Sequence, residues 1–248
     1  MKALPNVLLA ATVAMLATNA YADVTIDHTY RSNVRSNGGS LAGSYAVRAI
    51  NTDSPNPSGT PIERERNFHT FDLSGLSGTI TGATLRVWVD PKDGDPGSGI
   101  GNQTGAPYQS SDSSEDILLY DVSSDASDLV NSPTATEFAD IGSGNLYGTL
   151  TVNDDDAGEY IEAVLNAQAI ADLNAAIGGL WSVGGALDFN GSYGANSNFI
   201  SERVLHDDNN ELNDLPSQLV LTGSVVPEPS SVLLVLGTVA GWAVLRRR

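Results

Sequence analysis

Short stretches of alternating apolar and polar residues run through the middle of the chain and predict β-strands. The clearest is Ile80–Val89, where Leu85 and Val87 share one face and Arg86 and Trp88 share the other. The same period of two predicts strands at Val24–Tyr30, 45–50, Glu65–Phe71, Ile117–Val122, Leu146–Val152, Tyr160–Leu165, Leu180–Phe189 and Gln218–Thr222. Many short strands separated by turn-rich loops are typical of an all-β protein, and we expect an antiparallel β-sandwich.

One segment changes to helical spacing. Asn166 is a good N-cap, and Ala167–Ile177 carries apolar residues three and four positions apart. Gly178 and Gly179 provide a C-terminal stop. We therefore expect one short helix that covers an end of the sandwich.

The N-terminus has the order of a secretory signal. Met1–Lys2 is positive, an apolar stretch follows, and the small residues Ala20 and Ala22 flank a predicted cleavage site before Asp23. The sequence predicts a signal peptide over residues 1–22, which implies export by the secretion machinery.

The C-terminus has a tripartite tail over residues 225–248. Val226-Pro227-Glu228-Pro229 is followed by an apolar stretch. Residues 229–245 contain no charged residue, and the chain ends with Arg246, Arg247 and Arg248. A stretch of 17 residues is at the lower limit for a membrane-spanning helix. Trp242 is placed as an interfacial aromatic residue, and the three arginines would stay on the cytoplasmic side.

This tail resembles the PEP-CTERM sorting signal of Gram-negative bacteria. The likeness covers about the last 24 residues. It implies recognition by an exosortase-type membrane protease, cleavage near Val226–Pro229, and transfer from transient inner-membrane anchoring to the cell surface or the extracellular matrix. Because the tail would serve only for sorting, its resemblance to the family signal implies no activity for the body.

The body, residues 23–224, has a looser resemblance. Residues 66–80, with Phe71-Asp72-Leu73-Ser74, lead into Ala83-Thr84-Leu85-Arg86 and look like the opening of jelly-roll domains in bacterial surface proteins. Residues 165–185 are similar to a segment of other PEP-CTERM proteins. These likenesses imply a jelly-roll-like fold and no activity.

The charge divides by segment. The net charge is −18, but four of the 12 basic residues and one of the 30 acidic ones lie in the two ends, so the body is near −21. This balance argues against nucleic acid as a partner, because phosphate recognition needs many Lys and Arg. The chain has no Cys, which excludes disulfides and thiolate chemistry.

No motif marks the body as an enzyme. His28, His69 and His206 share no metal-ligand spacing, and we interpret the first two as structural or surface residues. No serine or phosphate-binding motif is present. Scattered Glu residues leave polysaccharide degradation open as an alternative, since glycoside hydrolysis needs two carboxylates. The favoured expectation is a non-enzymatic protein of the extracellular matrix or biofilm.

Two kinds of ligand stay open. Acid-rich loops containing Asp93 and Asp95, or Asp154 and Asp156, are weak candidates for Ca²⁺, although none matches an EF-hand; no other cofactor is expected. Trp88 and Trp181 are candidate contacts for a carbohydrate, which would make the body a binding module for exopolysaccharide.

Overall fold

The computed structural model of the chain describes residues 23–40, 46–51, 63–91, 108–110, 113–188, 200–205 and 215–227. The strands are β1 Val24–Arg35, β2 Val47–Asn51, β3 Glu63–Asp72, β4 Leu76–Ser77, β5 Ile80–Trp88, β6 Tyr108–Gln109, β7 Ser114–Asp121, β8 Leu146–Asn153, β9 Tyr160–Val164, β10 Leu180–Leu187, β11 Ile200–Val204, β12 Gln218–Gly223 and β13 Val226–Pro227. The helices of these ranges are α1 Ala126–Asn131, α2 Ala135–Ile141 and α3 Ala167–Ala176.

All strand pairs of the described ranges are antiparallel, which confirms the all-β prediction. The first strand belongs to two parts of one sheet. Val24–Asp27 pairs with β12, which continues to β5 and β9. After an irregularity at His28–Tyr30, the rest of β1 pairs with β3, which continues through β10 and β7 to β8. The strands β2, β11 and β6 extend β3 at Glu63–Glu65.

The main hydrophobic core lies between these two parts of the sheet. Leu85 and Leu219 from the β5–β12 part and Phe71 and Val183 from the β3–β10 part belong to one buried cluster. The sheet is nearly closed, because β8 and β9 approach each other where the amide of Asn166 donates to the carbonyl of Tyr147 at 2.9 Å.

Helix α3 confirms the helical prediction within one residue and closes one end of the core. The side chain of Asn166 accepts bonds from the amides of Gln168 and Ala169, as an N-cap should. Asn174 fixes the helix to β5, since its side chain accepts from the amide of Ile80 and donates to the carbonyl of Ile80, both at 2.9 Å.

The prediction of a single helix is wrong, because α1 and α2 cover the outer face of β1 and β3. They bury Leu129 and Ile141 with Phe68 in a second hydrophobic cluster. Helices of six and seven residues are too short to show helical periodicity. A capping box, with Thr134 as N-cap and Glu137 as N3, was the signal that the sequence carried.

The strand directions give the body two different ends. Val24, Gly223 and Ile80 lie at the end covered by α3, which we call the exit end. Arg35, Glu65 and the last residue of β5 lie at the other, the loop end.

Candidate functional site

The outward face of β1, β12, β5 and β9 carries a hydrogen-bonded row of polar side chains. Gln218 donates to Asp27 at 3.1 Å, and Arg86 donates to Gln218 at 3.0 Å and to Glu162 at 2.8 Å. The row exists because these residues stand directly opposite one another on neighbouring strands. It holds planar amide, guanidinium and carboxylate groups in fixed positions on the surface.

An aromatic pair lies beside this row. Trp88 and Tyr160 face each other on β5 and β9, with ring centroids 5.2 Å apart in an edge-to-face arrangement. The guanidinium of Arg86 lies 4.5 Å from the centre of the Tyr160 ring. The hydroxyl of Tyr160 donates to the carbonyl of Pro216 at 2.9 Å, and partial burial raises its pKa.

We call this set the Trp88 surface; it comprises Asp27, Arg86, Trp88, Tyr160, Glu162 and Gln218. Trp88 is half-buried and lies opposite the buried Leu85 and Val87, as the alternation predicted. Aromatic rings with fixed planar polar groups can stack against a sugar ring and bind its hydroxyls.

The other predicted tryptophan has a different environment. Trp181 is 6 % exposed and belongs to the core. Its ring stacks on Tyr147 with centroids 5.8 Å apart, and the Phe71 ring lies tilted against it with centroids 6.1 Å apart. A sugar ring could reach Trp181 only if the core opened, so we base no carbohydrate site on it.

The acidic residues of the described loops use their carboxylates locally. Asp154–Asp156 form a 3₁₀ turn after β8, where Asp156 accepts from the amide of Asn153 at 2.8 Å. Within the residues that the structure describes, no three His, Cys, Asp or Glu side chains are grouped as metal ligands. Asp93 and Asp95 lie outside the described residues.

A buried polar cluster occupies the inward face of β1 and β3 toward the loop end. Asn33, Glu65, Asn67 and His69 are each at most 1 % exposed. Glu65 accepts from the side chain of Asn33 at 3.4 Å and forms an ion pair with Arg35 at 3.5 Å. The cluster places a carboxylate, amides and an imidazole together on the loop-end side of the core.

Sequence reasoning missed this cluster, although a signal was present. Phe71 is an inward residue of β3, and a period of two places Glu65, Asn67 and His69 on the same face as Phe71. The polar character of the three residues suggested exposure, whereas in the fold they face the core, with β1 along one side of β3 and β10 or β2 along the other.

The two described histidines are held neutral. Burial lowers the pKa of His28 to about 4, with Arg31 adding to the effect, and the amide of Ser217 donates to its Nδ1 at 3.0 Å. Complete burial also lowers the pKa of His69, with smaller effects of His28 and Arg31. The structural interpretation of both residues agrees with these positions, and His206 lies outside the described residues.

We expect the folded body to lose stability as the pH falls through the weakly acidic range. An unfolded histidine binds a proton near pH 6.5, whereas folded His28 binds one only near pH 4. Stability from this residue is therefore complete above pH 6.5 and declines toward pH 4. Solvent screening of the half-exposed ring limits the expected loss to about 1–2 kcal/mol, measured by urea unfolding at several pH values.

The matched variant is His28→Asn, whose side-chain oxygen can replace Nδ1 as the acceptor for Ser217. Its unfolding free energy should depend less on pH between 6.5 and 4 than that of the parent protein. An NMR titration in which the His28 ring protonates near pH 6.5 would contradict the expectation.

The predicted sorting motif begins at Val226, and its first two residues are the last that the structure describes. Val225 is 2 % exposed in the core, and Val226 and Pro227 pair with Ser77 and Leu76 of β4. Asp23 is the first described residue, and β1 begins one position later. The remaining motif residues, Glu228 and Pro229, lie outside the described residues, as do the predicted cleavage residues Ala20 and Ala22 and the membrane residues Trp242, Arg246, Arg247 and Arg248.

No helix in the described ranges is long and apolar enough to span a membrane. The predicted span at 229–245 is not among those ranges. No protein-family model matches the chain, and a search of curated proteins gives no match.

Proposed function

We propose that this is an exported, surface-sorted, non-enzymatic protein of the extracellular matrix or biofilm. Export begins with a signal peptide, and an exosortase-type membrane protease cuts near Val226–Pro229 after transient anchoring in the inner membrane. The observation that carries this proposal is the tail itself: a Pro-Glu-Pro motif, 17 residues without charge and three arginines in that order.

The boundaries of the fold support the same division of the chain. The first strand starts at Val24, directly after the predicted signal peptide, and the last strand ends at Pro227 inside the sorting motif. The described strands therefore reach to within a few residues of both predicted processing sites. For the body we propose a jelly-roll-like sandwich, with the β1–β12–β5–β9 part of the sheet opposed to the β1–β3–β10–β7–β8 part.

Mass spectrometry of the protein from culture medium and from membranes tests the sorting proposal. We expect the medium to contain a chain that starts near Asp23 and ends near Pro227. A strain without the membrane protease should instead retain the chain with Arg248 in its membrane fraction. An intact C-terminus in the released protein of the parent strain would contradict the proposal.

A second candidate function is binding of exopolysaccharide, and the Trp88 surface is the observation that favours it. The surface offers a half-buried indole, a tyrosine ring and a fixed row of hydrogen-bonding groups within one sheet face. Sugars bind by stacking on aromatic rings and by hydrogen bonds to planar polar side chains. No catalytic group is needed for this activity.

Trp88→Ala should reduce retention of the purified protein on exopolysaccharide about five- to thirtyfold, because one aromatic contact is worth about 1–2 kcal/mol. Tyr30→Ala is the matched control, since Tyr30 is 44 % exposed on another part of the sheet; it should change retention less than about twofold. Affinity electrophoresis measures both, with circular dichroism to verify folding. Equal losses in the two variants, or no retention of the parent protein, would overturn this candidate.

A further inference from the structure

The exit end of the body differs in charge from the rest of the molecule. Three segments that meet there are Leu73–Gly82, Val164–Leu180 and Leu221–Pro227, and together they contain one charged residue, Asp172. Residues 23–224 as a whole are near −21. Asp23, directly before Val24, also borders this end, as do Asp72 of β3 and Asp121 of β7. The face formed by the three segments is thus nearly uncharged on a strongly acidic protein.

The side-chain carboxylate of Asp172, the one charged group of these segments, accepts hydrogen bonds from two neighbouring side chains. Asp172 accepts from the hydroxyl of Tyr147 at 2.7 Å and from the side chain of Gln168 at 3.1 and 3.2 Å. The outward positions of α3 include Ala171 and Ala175, which are exposed. Helix α3 consequently presents small uncharged side chains to the outside.

Two large apolar residues flank α3 along the chain. Val164, before the helix, is 79 % exposed, and Leu180, after it, is 49 % exposed. Leu180 is the first residue of β10 and lies at the exit end opposite Asp72, whereas Val164 lies opposite Thr84 on the outward face of β9, so only Leu180 of the two lies at the exit end itself. An exposed apolar residue in such a position gains stability when an apolar or interfacial environment covers it.

The chain leaves the body from this same end. Strand β12 ends at Gly223, Val225 is buried, and β13 is held against β4. One residue, Glu228, separates Pro227 from the uncharged stretch 229–245. Because one residue spans at most about 3.6 Å, the exit end cannot lie far from the point where that stretch begins.

We infer that the exit end lies against the headgroup region of the lipid bilayer while the tail is anchored, with Leu180 as an apolar contact beside α3. This inference rests on the proposed function, since it requires the tail to span the membrane. The charge distribution fits this partner: carboxylates are repelled by anionic lipids, and the exit end is where this acidic body has fewest. The loop end then points away from the bilayer.

Single-cysteine labelling of the full chain tests the inference, because the chain has no native cysteine. Ala171→Cys and Ala175→Cys place a fluorophore on α3, and Asp155→Cys places it at the loop end as the matched control. Strand β5 alone, with nine residues, separates the ends by about 26 Å. The proteins are reconstituted into phosphatidylethanolamine–phosphatidylglycerol vesicles that contain a lipid with a nitroxide quencher in its headgroup.

Labels at positions 171 and 175 should be quenched at least threefold more strongly than the label at position 155. Equal quenching at both ends, in protein that floats with the vesicles, would overturn the inference and leave the anchoring intact. A full chain that does not float would remove the anchoring, and the inference with it. Shielding of the α3 labels in detergent, together with a doubled molecular mass, would assign this face to a second copy and also overturn the inference.

Discussion

Trp181→Ala should lower the free energy of unfolding by about 3–5 kcal/mol, which corresponds to a fall of roughly 10 °C in Tm for a body of this size. The side chain is 6 % exposed and contacts both Tyr147 and Phe71, so its removal leaves a cavity and removes its ring contacts with both residues. The loss is measured by urea unfolding followed by circular dichroism.

Trp88→Ala is the comparison variant for the stability loss expected of Trp181→Ala. Trp88 is half-buried and contacts Tyr160 on the surface, so its removal should cost only about 1 kcal/mol. Trp181→Ala would then affect mainly stability, and Trp88→Ala would affect mainly retention on exopolysaccharide. A Trp181→Ala protein as stable as the parent would show that the stack does not support the core.

Gly223→Ala should destabilise the body by about 3 kcal/mol or more. Gly223 ends β12 with a φ of +143°, and a Cβ atom there would overlap the backbone oxygen of Thr79. Backbone atoms cannot give way as a flexible side chain can, so both the conformation and the clash oppose a methyl group. Thermal and urea unfolding of the purified variant measure the loss.

Variants at two other glycines separate the effect of the positive φ from the effect of the steric clash. Gly178 has a φ of +89°, and no atom lies within 4 Å of the position that a Cβ atom would take, so Gly178→Ala should cost about 1–2 kcal/mol. Gly75 has equally open space and no positive φ, and Gly75→Ala should change stability by less than about 0.5 kcal/mol. A Gly223 variant no less stable than the Gly178 variant would remove the clash as a cause.

The elements that sequence patterns predicted best are those stabilised by one regular face. In β5 the inward residues Leu85 and Val87 alternate with exposed or half-exposed ones, and that alternation is visible in the sequence. Helix α3 combines an N-cap, apolar spacing and terminal glycines, and each of these signals agrees with the others. Local agreement of this kind is sufficient to place an element before its partners are known.

The elements that were missed depend on distant contacts. Helix α2 packs where Gly184 leaves room, since a Cβ there would lie 2.5 Å from the carbonyl oxygen of Ile141. Arg66 of β3 donates to the carbonyl of Phe138 at 2.6 Å and places its guanidinium 4.2 Å from the centre of that ring. Neither contact follows from the sequence around α2, because both partners lie on strands far from it along the chain.

The residues of the candidate site also divide into those that the sequence pattern predicted and those that depend on distant strand contacts. The shared outward face of Arg86 and Trp88 followed from the alternation in β5. The position of Tyr160 beside Trp88, and of Glu162 and Gln218 beside Arg86, depends on which strands are neighbours and in which register. The sequence could therefore predict two members of the Trp88 surface, while strand pairing was needed to assemble the rest.

The pairing of Val24 with Leu221 has a consequence for the time course of folding. The first strand of the body cannot complete its ladder until almost the whole chain has been made, because its partner lies nearly two hundred residues later. Contacts of such long sequence separation are formed slowly. During synthesis, Val24–Asp27 of β1 therefore stay without their β12 partners until residues 218–221 have been made.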